Sequence, residues 1–318
     1  MSKKISKIVF AGSNDFALAH LESLLNSKYI ISAVLTKPDN LYCKKRENCF
    51  SLIKKYAIKN YITLLQPKNL FNEIFYSSLK QINADILIVS SYGNKIPKKI
   101  LKIFPFGGIN IHASLLPRWK GAAPIQWAIL SGDKKTGVSV IKMNSRIDSG
   151  KIIYTLSCPI SQLDNTITLS AKLIPISLQC MYQSLQIIDN PYIINYQKQN
   201  KILEKQAPKI KKKDSIISWS HSVIQIDRLI RAFVSWPCCQ FLINKLYVKI
   251  KKASIFSVKK HDFQCGEIIE VNKTGIQINT GKGILRIEKI KIPGKKTLHI
   301  SQILHAKKKI FVKKAILK

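Results

Sequence analysis

Residues 5–36 read ISKIVFAGSNDFALAHLESLLNSKYIISAVLT, and their pattern sets the architecture of everything that follows. ISKIVFA is a short apolar run closed by Gly12, as expected of a strand buried on both faces. Ser13, Asn14 and Asp15 offer caps for a helix over FALAHLESLLNS, where Leu18, Leu21, Leu24 and Leu25 share a face. IISAVLT then returns as a second strand and completes a βαβ unit. Further along come a strand in NADILIVSS (83–91), a helix in IPKKILKI (96–103) and a strand in GGINIHAS (107–114). TGVSVIKM (136–143) and KIIYTLSCPI (151–160) read as two more strands, before a helix over 166–187 that Pro175 can bend. Strands alternating with helices in this way argue an α/β fold with a doubly wound, mostly parallel sheet.

The turn AGSNDFA lacks the spacing G-x-G-x-x-G, and G-x-x-x-x-G-K-[ST] occurs nowhere, so neither a dinucleotide nor a P-loop nucleotide site is supported. Residues 190–206 have weak periodicity and look like a linker. Beyond them one helix (221–233) precedes the short alternating segments QFLIN, LYVKIKKASIF, GEIIEVN, GIQINTG and GILRIEKIKI. Such segments, divided by Gly and Asn/Lys turns, predict a small OB-like β-barrel. The expected division is therefore 1–189, a linker over 190–206, and a second domain over 207–318.

With 318 residues, 46% of them hydrophobic, the chain can bury two sizeable cores and is no disordered polycation. Its 53 Lys+Arg against 17 Asp+Glu give a formal charge of +36, which favours a polyanionic partner. The 207–318 segment holds 25 of the basic and 6 of the acidic residues, a density that suits a nucleic-acid platform. An A+T-rich genome yields the same excess of Lys, Ile and Asn, so charge alone marks no binding site. Seven scattered cysteines without a C-x-x-C read as reduced thiols, and no ligand spacing for a metal appears. The N-terminal apolar run is too short for a signal peptide, and no segment is long and uncharged enough to span a membrane. Together these predict a cytoplasmic protein with no metal and no membrane partner.

One strand carries more than a core requires. In GGINIHAS the period of two sends Ile109 and Ile111 to one face and Asn110 and His112 to the other, near the carboxyl end where open α/β sheets bind ligands. A lone histidine there is more often structural. The loop NSRIDSGK after the neighbouring strand adds Asp148, and the three groups together suit acyl transfer to an amine. The imidazole moves protons near neutral pH, the carboxylate orients it, and the amide donates to the oxyanion of a tetrahedral intermediate.

These residues, with SSYGNKIP (90–97), SLLPRWKGAAPIQWAILSGD (114–133), TGVSVIKM and IRAFVSWP (230–237), resemble the folate-dependent formyltransferases, over nearly the whole chain. Within that group they are similar to the members that formylate methionyl initiator tRNA. The resemblance implies a catalytic trio of Asn110, His112 and Asp148. It implies a folate-contacting segment at Ser114, Leu115, Leu116 and Pro117, with 10-formyltetrahydrofolate as co-substrate. It implies initiator methionyl-tRNA as partner, with Lys44, Lys45 and Arg46 in a loop that reaches the acceptor end, and nothing in it requires more than a monomer. Three departures stand out: CKK (43–45) replaces the family's Gly-Arg-Gly, Arg146 replaces a glycine, and Lys151 replaces an acidic residue. Two alternatives use the same chain differently: a formyl-tetrahydrofolate hydrolase, with water as acceptor, and a non-catalytic RNA-binding protein.

Overall fold

The computed structural model describes residues 4–39, 50–190, 192, 196–304 and 311–317. Two compact units emerge. The first comprises Met1–Pro124, Lys135–Pro159 and Ser170–Pro208, and the second Ile125–Lys134, Ile160–Leu169 and Lys209–Lys318.

The first unit is built on β1 (Lys7–Gly12), α1 (Asp15–Leu25), β2 (Ile30–Leu35), α2 (Leu52–Lys59), β3 (Leu64–Leu65), α3 (Glu73–Gln81), β4 (Ile86–Ser90), α4 (Lys98–Leu101) and β5 (Gly108–His112). It continues through β6 (Lys120–Gly121), β7 (Lys135–Lys142) and β8 (Ile152–Pro159); α5 (Pro124–Ser131), between β6 and β7 in the chain, belongs after its first residue to the second unit. Its seven-stranded sheet runs β3-β2-β1-β4-β5-β7-β8. The first five strands are parallel, and β7 is antiparallel to both β5 and β8. The strand order reverses between β1 and β4, the place where an open sheet of this kind leaves a crevice at its carboxyl edge.

Local chemistry explains the elements. The Asn14 side chain caps α1 by accepting from Ala17 N, and Ser51 and Asn72 cap α2 and α3 in the same way. On one face of the sheet Val9, Ala11, Leu87 and Val89 pack under Phe75, Leu79 and Ile100. The alternate residues Ile8, Phe10 and Ile88 are equally buried and face the other side, so these strands read as unbroken apolar runs.

α6 (Thr166–Asp189) follows and carries Pro175 in its interior. The stretch expected to act as a linker does more than connect. Gln197 exchanges backbone bonds with Ile152, and β9 (Gln206–Ala207) pairs with β6.

In the second unit α7 (Val223–Ala232) starts with a capping box between Ser222 and Gln225. Then come β10 (Gln240–Ile243), β11 (Leu246–Ser257), β12 (Ile268–Asn272), β13 (Gly275–Asn279), β14 (Ile284–Lys291), β15 (Thr297–His299) and α8 (Ile300–Leu304). Their antiparallel path is β10-β11-β14-β13-β12, with β15 on β14. The expected small β-domain is thus a half barrel, whose end strands β10 and β12 do not pair among the described residues. Trp219 meets Phe241 edge-on at 5.9 Å in its core. Arg231 at the start of IRAFVSWP donates to the Asp164 carbonyl at 2.7 Å and pairs with Asp227, so part of that motif is structural.

Candidate active site

β5 lies between β4 and β7, and its register sets Asn110 beside Ile141 and His112 beside Ser139. Both polar residues sit on the face the period of two assigns them, and their neighbours Ile109 and Ile111 are fully buried. Asp148 comes from the loop between β7 and β8, in a left-handed backbone conformation with φ 48° that Asp tolerates better than most residues.

The three groups converge. Asn110 Nδ2 donates to Asp148 Oδ1 at 3.0 Å, and His112 Nδ1 lies 3.6 Å from Asp148 Oδ2. His112 and Asp148 are 5% and 9% exposed, which places a carboxylate and an imidazole together away from bulk water. The backbone N–H of Gly121 supplies a further donor to Oδ2, at 2.9 Å. His112 Nε2 stands 2.8 Å from the Trp119 carbonyl, which can only accept, so the hydrogen sits on Nε2 and the Nδ1 edge is turned toward the acid. The 3.6 Å gap exceeds a direct hydrogen bond, so the carboxylate acts on the imidazole through its charge. Asn110 therefore grips the carboxylate with one hydrogen of its amide and keeps the second for another acceptor.

The SLLP turn follows at once. Ser139 Oγ props it from β7, accepting from Leu116 N at 3.0 Å and donating to the Ser114 carbonyl at 2.8 Å. Ser114 is wholly buried, its hydroxyl donating to the Arg118 carbonyl at 2.6 Å, and Leu116 packs with Ile141 and Ile152. Leu115 and Pro117 keep part of their surface open. Of the four residues expected at the folate, these two present side-chain surface, while Ser114 and Leu116 shape the turn. Lys44, Lys45 and Arg46 lie outside the described residues.

Some site groups escape a reading of residue types. The Trp119 carbonyl and the Gly121 amide act through backbone, though both fall inside the quoted SLLPRWKG motif. Gln199, in the connecting stretch, reaches the Asp148 loop with no sequence signal at all. Among the described residues no helix is long and apolar enough to cross a membrane, and no three His, Cys, Asp or Glu side chains are grouped to hold a metal.

Residues 4–185 match the formyl transferase family model, and residues 209–308 match the model for the formyl transferase C-terminal domain. Fold, site and matches together define a formyl transferase. A methionyl-tRNA formyltransferase of Buchnera aphidicola subsp. Acyrthosiphon pisum (strain Tuc7) is 45% identical over 306 residues, spanning 96% of this chain and 97% of the relative. Another, of Wigglesworthia glossinidia brevipalpis, is 41% identical over 313 residues, spanning 98% of each. The chain belongs to the methionyl-tRNA formyltransferase family. Its fold is also that of the N-formyltransferase from Helicobacter canadensis in complex with folinic acid and dTDP-3-aminofucose. That likeness has a TM-score of 0.64 at 21% identity, over 89% of this chain and 99% of the other.

Proposed function

We propose that this chain transfers the formyl group of 10-formyltetrahydrofolate to the free amino group of methionyl initiator tRNA, giving N-formylmethionyl-tRNA for translation initiation. The observation that carries the reading is the Asp148 carboxylate, which binds the Asn110 amide and faces the His112 imidazole at the carboxyl end of β5.

In this reading the methionine nitrogen attacks the formyl carbon directly, so no serine or cysteine nucleophile is required. The second hydrogen of Asn110 Nδ2 meets the oxygen on which charge develops. The nitrogen sheds a proton that His112 takes at Nδ1, and Asp148 balances the imidazolium across a short, water-poor gap. That proton ends on N10 of the folate as its bond to the formyl carbon breaks, leaving tetrahydrofolate. Leu115 and Pro117 offer apolar surface to the folate, on a turn that Ser114 and Leu116 shape from within. Residues 1–189 carry the chemistry and residues 207–318 the RNA, joined through 190–206. Lys44, Lys45 and Arg46 add positive charge for the acceptor end of the tRNA. A monomer holds all these parts, and the cytoplasm is where charged tRNA is found.

The test is an assay of the purified chain with 10-formyltetrahydrofolate and three acceptors: methionyl initiator tRNA, the same tRNA uncharged, and none. Formylated product with the charged species alone is expected. Folate turnover that ignores the acceptor would establish a hydrolase instead.

A further inference from the structure

Gln199 lies in the stretch that reads as a connector, and no step above uses it. Its Nε2 donates to the Asp148 carbonyl at 2.8 Å and to the Gly150 carbonyl at 2.7 Å, bracketing the loop that carries the carboxylate. Carbonyl oxygens only accept, so this amide has one tenable orientation, since a flip would set Oε1 against two other oxygens. At the opposite end Oε1 is buried with no partner, an arrangement that carries a desolvation penalty. The chain tolerates that penalty where the same amide secures the backbone of the acid.

The stretch itself is well anchored. Ile152 N donates to the Gln197 carbonyl at 2.8 Å, and Gln197 N to the Ile152 carbonyl at 2.9 Å, fixing one end to β8. At the other end Glu204 pairs with the buried Lys120 at 2.7 Å, and the Ala207 carbonyl accepts from Ala122 N at 2.9 Å. Gln199 is therefore held between β8 and the turn that donates Gly121 N to Asp148. Asp148 sits in the left-handed region with φ 48°, which costs Asp less than most residues but still more than extended backbone, and the Gln199 bonds to the Asp148 and Gly150 carbonyls favour that geometry.

We infer that Gln199 is a positioning residue for formyl transfer, holding the Asp148 backbone so that its carboxylate meets Asn110 and His112. This rests on the function proposed above.

Two variants of the full chain test it, with steady-state kinetics for both substrates and a melting curve to verify that each rate belongs to folded protein. Gln199→Ala should lower kcat by about 10- to 100-fold, the scale of a sub-ångström to ångström misplacement, with KM for folate and for tRNA nearly unchanged. Gln199→Glu sets an acceptor-only carboxylate against two carbonyls at high pH. Once protonated it regains one donor, and burial raises the pH at which this happens. The ratio of its kcat to that of the natural chain should therefore climb as pH falls from 8 to 6. An unaltered kcat in Gln199→Ala, or a flat ratio in Gln199→Glu, overturns the inference while the formylation reading stands. An inactive natural chain removes both.

Discussion

Two buried imidazoles differ in what their second nitrogen meets, and that difference separates a wall from a working group. His20 on α1 has Nδ1 2.7 Å from the Phe16 carbonyl, so the hydrogen sits on Nδ1, and its Nε2 is buried with no partner. Burial holds it neutral and lowers its pKa to about 4, against a smaller opposing pull from the Phe16 carbonyl. The unfolded chain binds a proton below about pH 6.5 where the folded one does not, so this histidine subtracts stability as pH falls from 6.5 toward 4. The loss amounts to roughly 3 kcal/mol. Urea unfolding at several pH values should show this slope, and His20→Leu should flatten it; an unchanged slope in the variant would assign the acid sensitivity elsewhere. His112 turns its second nitrogen to a carboxylate instead. His112→Ala should cost ~10²–10⁴ in kcat with KM for folate unmoved, and a loss confined to KM would return the imidazole to a packing role. Asn110, His112 and Asp148 were legible because a period of two and a loop after the adjacent strand are properties of residue type and spacing. The Trp119 carbonyl and Gly121 amide were not, since every residue carries those groups and only the turn decides which point inward.

At the scale of elements, the strands and helices lie close to where apolar period and caps predict them. The long runs ISKIVFA, NADILIVSS and GILRIEKIKI each hold a strand, and the helix after AGSNDFA begins at its Asn14 cap. Direction was not legible. β7 enters antiparallel to β5, and an apolar pattern has no sign that distinguishes the two senses. β15, three residues long, is too short for any periodicity to register. Nor does spacing reveal how tightly β7 and the Asp148 loop approach. A methyl group on Gly150 would sit 1.7 Å from the Lys142 carbonyl oxygen and 2.8 Å from its carbon, both backbone of β7. Lys142 ends a strand paired with β5 on one side and β8 on the other, so the loop is the part that gives and Gly150→Ala should push the Asp148 loop outward. The expected cost is about 1–3 kcal/mol or more, with a fall in kcat beyond what the folded fraction explains. Denaturant midpoints and kinetics on the same preparation measure both. A destabilised variant with full kcat would show that the loop relaxes without moving its acid.

Across the whole molecule the question is which of 53 basic residues meet RNA and which are only solvated. The half barrel offers a discriminating pair. Lys249 on β11 stands directly opposite Lys291 on β14, and Lys252 opposite Lys289, all four exposed. Like charges across a strand pair disfavour the sheet by about 0.2–1 kcal/mol, and Lys252 is offset by Glu288 at 2.6 Å, whereas no ion pair to Lys249 or Lys291 is seen among the described residues. A sheet that keeps such a pair without a fold-level reason has one if a polyanion lies over it. If it does, tRNA binding should weaken with salt by a log–log slope of about −0.7 to −0.9 for each phosphate engaged. Replacing both Lys249 and Lys291 by Gln should make that slope shallower by roughly one to two and weaken binding at every salt concentration. The same double change should raise the unfolding midpoint slightly, because it relieves the repulsion. Binding and stability therefore move in opposite directions if RNA covers β11 and β14. A variant that gains stability and binds as before would put the RNA on a different face.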